Sequence, residues 1–164
     1  LSVEREHVCS LQSTRKRLPE SEVHALKKLL PFWEITLDKH RLLFVHGSPW
    51  DPLQGYVYPD AVSESFGRLP YDAVFMGHTH RPFLITMNNV RVVNTGSCGL
   101  PRDIGNSPSF AVYNTQTGEA KIHRVLGNLQ ETLKKYDDVH PTVRACLRRN
   151  SNDNKSASCS PKER

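Results

Sequence analysis

The sequence predicts an α/β fold rich in β-hairpins, and three observations carry that expectation. Two short apolar runs, residues 42–45 and 72–76, read as strands buried on both faces, the mark of the interior of a parallel or mixed sheet. Three pairs of alternating segments are joined by turn residues. Periodic apolar segments at both ends of the chain read as helices.

In chain order, residues 1–18 are polar and aperiodic and are expected to form a loose arm. Pro19-Glu20-Ser21-Glu22 opens a helix in which Ser21 caps and Val23, Leu26, Leu29 and Leu30 share a face; Pro31 ends it. Residues 32–37 and 41–45 form a hairpin around Asp38-Lys39-His40. Residues 50–60, rich in Pro, Gly and Tyr, form a loop, and a short helix is expected at 60–68. The buried strand 72–76 follows. Residues 83–87 and 90–94 pair around Asn88-Asn89, a dipeptide that tolerates left-handed backbone. A third hairpin joins 109–114 to 120–125 through Thr117-Gly118. Helices are expected at 129–136 and 141–149, within a domain spanning 19–149. The stretch 150–164, almost without apolar residues, is expected to be disordered.

Composition narrows the function classes. The chain has 164 residues and a net charge of +5. The excess lies at the ends, since residues 31–126 hold eight basic and eight acidic side chains. A neutral middle argues against a nucleic-acid face on the core, so nucleic acid is not expected as a partner. The four cysteines, Cys9, Cys98, Cys146 and Cys159, are far apart and lack CxxC spacing, which excludes a disulfide scaffold and a cysteine zinc ribbon. No apolar run is long enough to span a membrane, and no signal-like stretch opens the chain; a cytoplasmic protein is expected.

Histidines mark the chemistry. His46 follows the strand at 42–45, and His78 and His80 follow the strand at 72–76, each set beside a glycine (Gly47, Gly77). Ligands of open α/β sheets bind beyond the carboxyl ends of strands. Imidazole suits transition metals, and His-x-His repeats the ligand type at one strand end. His7, His24, His40, His123 and His140 have no such setting and read as surface or internally satisfied residues. A third loop, Asn94-Thr95-Gly96-Ser97-Cys98-Gly99, follows an apolar strand and reads either as a plain turn or as backbone that closes a pocket or receives an anion.

Three motifs, Leu-Phe-Val-His46-Gly-Ser-Pro, Phe-Met-Gly-His78-Thr-His80 and Val-Asn94-Thr-Gly-Ser-Cys-Gly-Leu-Pro-Arg102-Asp, resemble in order and spacing the calcineurin-like metallophosphoesterases. The likeness is greatest to their small prokaryotic phosphodiesterase or phosphatase branch. The resemblance implies a four-layered αββα sandwich, of which this chain looks like the back half, with two metal ions in the complete site. It implies that His46 and His78 ligate one metal, that His80 ligates the other, and that Asn94 to Arg102 line a rim where both bind substrate. The implied metal is manganese, or else nickel, iron or zinc, and the implied substrate is a phosphoester.

The family's front motifs, an Asp-x-His, a Gly-Asp whose Asp bridges the metals and a Gly-Asn-His/Cys-Asp, are read as missing from this chain, and nothing before Leu30 resembles them. Without a bridging carboxylate, two dications repel, so the chain alone is expected to hold at most one metal weakly and to be inactive. The missing strands are also expected to leave an apolar sheet edge exposed. The competing reading is a degenerate phosphoesterase fold kept as an interaction scaffold. Two local alternatives stay open: Arg102 binds phosphate or pairs with an acid such as Asp103, and Tyr56 and Tyr58 stack on a substrate ring or pack in the core.

Overall fold

The structure is a computed structural model that describes residues 11–136 and 139–150. A five-stranded mixed sheet forms its centre, in the order β1-β2-β3-β5-β4, with β1 Phe32–Leu37, β2 His40–Val45, β3 Ala73–Met76, β4 Phe83–Met87 and β5 Val90–Asn94. The inner strands β2, β3 and β5 are parallel, and the outer two return antiparallel as hairpin partners. A separate hairpin, β6 Ser109–Asn114 and β7 Glu119–Arg124, makes a two-stranded sheet.

Register explains which residues form the core. Leu43, Val74 and Val92 lie in one cross-strand row. They point to the face covered by the connection between β2 and β3, which contributes Val57 and Phe66. One residue along, Phe44, Phe75 and Val93 lie in the next row and face the β6–β7 hairpin, meeting Ala111, Tyr113 and Ile122. The Phe44 and Phe75 rings stack at 4.9 Å. All four β3 residues are buried, as the apolar run predicts. Each large side chain removed from water here contributes about 1.5–3 kcal/mol.

The hairpin at β1–β2 turns through Asp38 and Lys39, both with positive φ (46° and 74°), the conformation that a two-residue turn matched to strand twist requires. Asn88 (φ 54°) does the same between β4 and β5.

The helices differ more from expectation. Where an arm was expected, α1 spans Leu11–Arg17; its last turn carries Arg15, Lys16 and Arg17, cations that complement the negative end of a helix. The rest of the expected arm, residues 1–10, lies outside the described residues, as does the expected tail apart from Asn150. α2 spans Glu20–Lys27. Ser21 does not cap it; Pro19 takes that position, and its carbonyl receives the Glu22 and Val23 amides. The helix stops short of Leu29 and Leu30 because the residue before Pro31 is pushed out of helical backbone. In place of one helix at 60–68 there are two 3₁₀ turns, Pro59–Ala61 and Phe66–Arg68, the second burying Phe66. Two helices follow the second sheet, α3 Leu129–Lys135 and α4 Pro141–Leu147. Among the described residues no helix is long and apolar enough to cross a membrane.

The edge strand β1 leaves Phe32, Trp33 and Leu37 exposed, and the outer face of the small sheet leaves Phe110 and Val112 exposed. Trp33 is 59% exposed and Trp50, which meets Phe66 edge-on, is 57% exposed. Acrylamide is therefore expected to quench the fluorescence of the folded chain nearly as well as that of the urea-unfolded chain. Strong protection at low concentration would contradict this placement of β1.

Candidate metal centre

Three parallel strands end side by side, and each end leads into one of the motifs. His46 follows β2, Gly77-His78-Thr79-His80 follows β3, and Asn94 closes β5. Backbone bonds extend the seams past the strands: the Gly77 amide donates to the His46 carbonyl at 3.0 Å and the Thr95 amide to that of Met76 at 3.0 Å. This brings the His46 and His78 rings to 4.5 Å, stacked with their planes 29° apart.

The loop after His46 folds back on itself. The Gly47 amide donates to the Pro52 carbonyl and the Ser48 amide to that of Asp51, while the Ser48 hydroxyl receives the Asp51 amide. The fold-back delivers Tyr56, whose ring lies 3.9 Å from that of His78, tilted by 42°. Of the two readings left open for Tyr56, the core reading does not hold: the side chain is exposed, and its partner within the chain is the His78 imidazole. Nothing in the spacing of the sequence signals that contact.

His78 and His80 both occupy left-handed backbone, with φ of 62° and 58°. Such a conformation costs a non-glycine residue about 1–2 kcal/mol and persists only where neighbours impose it. Asn94 imposes it here. Its Nδ2 donates to the Gly77 carbonyl at 2.7 Å and to the Thr79 hydroxyl at 3.0 Å, and its Oδ1 receives the Gly96 amide at 3.0 Å. The Thr79 amide donates to the Gly77 carbonyl at 2.7 Å, closing a three-residue turn around His78. Asn94 and Thr79 are buried. The expected placement of Asn94 on a substrate rim is therefore corrected: its amide is consumed in supporting the histidine loop from below. Gly96 (φ 77°) completes the support, for a Cβ there would meet the Ser109 hydroxyl.

His80 is half-buried, and its Nδ1 lies 2.8 Å from the Leu100 carbonyl. A carbonyl only accepts, so Nδ1 carries the proton and Nε2 keeps its lone pair, the tautomer a metal ligand needs. Burial lowers the His80 pKa below 6.5, helped by the nearby Arg102 and His46 charges and opposed by the Leu100 bond. The imidazole is thus neutral at neutral pH. The unfolded chain takes this proton near pH 6.5 and the folded chain only below it, so this group's stabilising contribution is complete above pH 6.5 and is lost as pH falls toward the lowered value. NMR titration of the metal-free chain is expected to give a His80 midpoint below 6.5; a midpoint at or above 6.5 would refute the burial described here.

Arg102 donates its amide to the His80 carbonyl at 3.0 Å, which places its backbone beside the histidine loop. Asp103, the acid named as its alternative partner, pairs with Arg124. The expectation that no Asp-x-His is present is corrected: Asp38-Lys39-His40 has that spacing, but it forms the β1–β2 turn. That puts it about 20 Å along β2 from His46, and His40 there bonds the Tyr113 hydroxyl.

The imidazole donors are of a type that suits a divalent transition-metal ion. His46 and His78 come together and His80 holds the right tautomer. Among the described residues, however, no group of three or more His, Cys, Asp or Glu side chains converges as a metal cluster.

A mixed sheet that ends adjacent parallel strands in imidazoles places candidate metal ligands where open α/β sheets bind their ligands. Comparison with known proteins makes the class specific: the model of the calcineurin-like phosphoesterase superfamily domain matches residues 18–118. The chain belongs to that superfamily. The uncharacterized protein MJ0912 of Methanocaldococcus jannaschii is 25% identical over 138 residues, covering 74% of this chain and 56% of that protein. In structure the chain resembles a metallophosphoesterase from Sphaerobacter thermophilus (TM-score 0.69, 22% identity, 80% of this chain and 62% of the other). It also resembles the hypothetical protein PH1004 from Pyrococcus horikoshii OT3 (TM-score 0.67, 22% identity, 80% and 55%). These two show a shared fold. The chain spans 55–62% of the length of these relatives.

Proposed function

We infer that this chain carries the histidine side of a metal-dependent phosphoesterase centre, acting on a phosphodiester or phosphomonoester. The observation that carries the reading is the junction of His46 and His78 at the ends of β2 and β3, with ring centroids 4.5 Å apart. His46 and His78 would hold one ion, and His80 would offer Nε2 to a second position. A bound divalent ion supplies positive charge to phosphoryl oxygens as they become more negative. Arg102 would bind a phosphate oxygen through its guanidinium fork, beside the His80 loop. Tyr56 limits the freedom of the His78 ring. Carboxylate donors for a full two-metal site would come from a segment that this chain does not contain, and the chain alone is proposed to be inactive. Manganese is the proposed ion. The described thiols of Cys98 and Cys146 are free, which fits the reducing conditions of the cytoplasm as the proposed location.

Equilibrium dialysis against Mn²⁺ and Zn²⁺, paired with hydrolysis of bis-p-nitrophenyl phosphate, tests this reading. The expected result is at most one bound ion per chain and background hydrolysis. Two bound ions with turnover would show that carboxylate ligands are present among residues not assigned here. No bound ion at any practical concentration would overturn the metal reading and leave the fold as an interaction scaffold.

A further inference from the structure

α4 ends against the loop that carries Arg102. The Cys146 thiol donates to the Pro101 carbonyl at 3.4 Å, the Arg149 guanidinium to the Arg102 carbonyl at 2.5 Å, and the Gly105 amide to the Arg149 carbonyl at 2.9 Å. The approach is close enough to demand glycine: a Cβ on Gly105 would lie 2.3 Å from the Cys146 carbonyl oxygen and 2.4 Å from that of Leu147. On its other side the same loop grips His80 twice, through Leu100 to Nδ1 and through the Arg102 amide to the His80 carbonyl. The connection between Asn94 and Ser109 contains no helix or strand. A connection of that length needs restraint from outside to hold one shape. α4 supplies it, and α4 lies beyond the residues 18–118 that the family model matches.

We propose that Arg149 is a positioning residue for His80: with Cys146 and Gly105 it clasps the 101–105 loop, and through that loop it holds the Leu100 carbonyl on Nδ1 so that Nε2 keeps the lone pair. The value of that tautomer to a metal rests on the function proposed above, and the test separates the two. A guanidinium bond to a carbonyl is charge-assisted and stronger than a neutral one, which suits it to fixing a backbone segment from a distant part of the chain.

The test is a two-bond ¹H–¹⁵N correlation spectrum of the imidazoles in the metal-free, full-length chain, repeated with Zn²⁺. The wild-type His80 is expected in the Nδ1-protonated form. Arg149→Ala is expected to move the tautomer ratio about fivefold toward Nε2–H, the change expected for loss of one net hydrogen bond. Gly105→Val is expected to do the same by pushing α4 away, and Arg149→Lys to restore part of the wild-type ratio. Asn128→Ala removes the α3 cap without touching the clasp and is expected to leave His80 unchanged. An unchanged ratio in both Arg149→Ala and Gly105→Val, or an equal change in Asn128→Ala, overturns the clasp. A shifted ratio in a chain that never binds Zn²⁺ upholds the clasp and overturns the metal reading instead.

Discussion

Changing His78 to asparagine is expected to weaken binding of Mn²⁺ or Zn²⁺ by more than 100-fold while leaving the chain folded. Losing an outer partner of a metal ligand costs about 10–100-fold, and losing the ligand itself costs more. Asparagine is chosen over alanine because His78 sits at φ 62°, and asparagine tolerates left-handed backbone where alanine is strained. The loop and its Asn94 support therefore remain, and only the imidazole is lost from between His46 and Tyr56. Isothermal titration of both chains, with thermal unfolding as the check on folding, gives the answer. Equal affinity in the two chains would mean that His78 is no ligand and that the stacked histidines are packing.

Asn94→Leu is expected to cost about 3 kcal/mol of stability. The side chain is fully buried and makes three hydrogen bonds. The Gly77 carbonyl keeps the Thr79 amide and the Thr79 hydroxyl keeps the Arg81 amide at 3.3 Å, so the heaviest loss falls on the Gly96 amide. For a chain of this size that corresponds to a melting temperature lower by about 6–12 °C. Asn94→Asp preserves shape but turns an oxygen toward the Gly77 carbonyl, and is expected to be worse. A loss under about 1 kcal/mol for Asn94→Leu would show that the histidine loop holds itself, and that Asn94 does not impose its left-handed turns.

The strands were legible because their determinants are local. The runs at 42–45 and 72–76 are too short for helices and too apolar for a surface strand. Asn88-Asn89 and Thr117-Gly118 announce the turns between paired segments. The helices were less legible because weak amphipathic segments leave their limits to capping and to the chain beyond: Pro19 displaces Ser21, and the helix ends at Lys27, three residues before Leu30. His46, His78 and His80 could be picked out as candidates by their place after buried strands. Their geometry could not be, since it depends on which strands become neighbours. Asn94 shows the gap most plainly. Its position at a strand end was readable, but its burial follows from the parallel seam with β3 and from the turn at Gly77. The contact of Arg149 with Arg102 links positions too far apart for any periodicity to reveal.

The mixed sheet also dictates an order of events as the chain folds. The three hairpins join near neighbours and can form within about 1–10 μs. The two parallel seams cannot, because β2 meets β3 through Leu42 and Ala73 and β3 meets β5 through Ala73 and Arg91, each across a long intervening segment. Closing such segments is entropically costly before any contact rewards it, so seam formation sets the pace. Until β3 is seated between its partners, its four apolar residues have no cover, and the two histidine turns that depend on its far end have no shape. The site is thus among the last parts of the molecule to come into being, and a newly made chain is most prone to stick to others in the interval before β3 is seated.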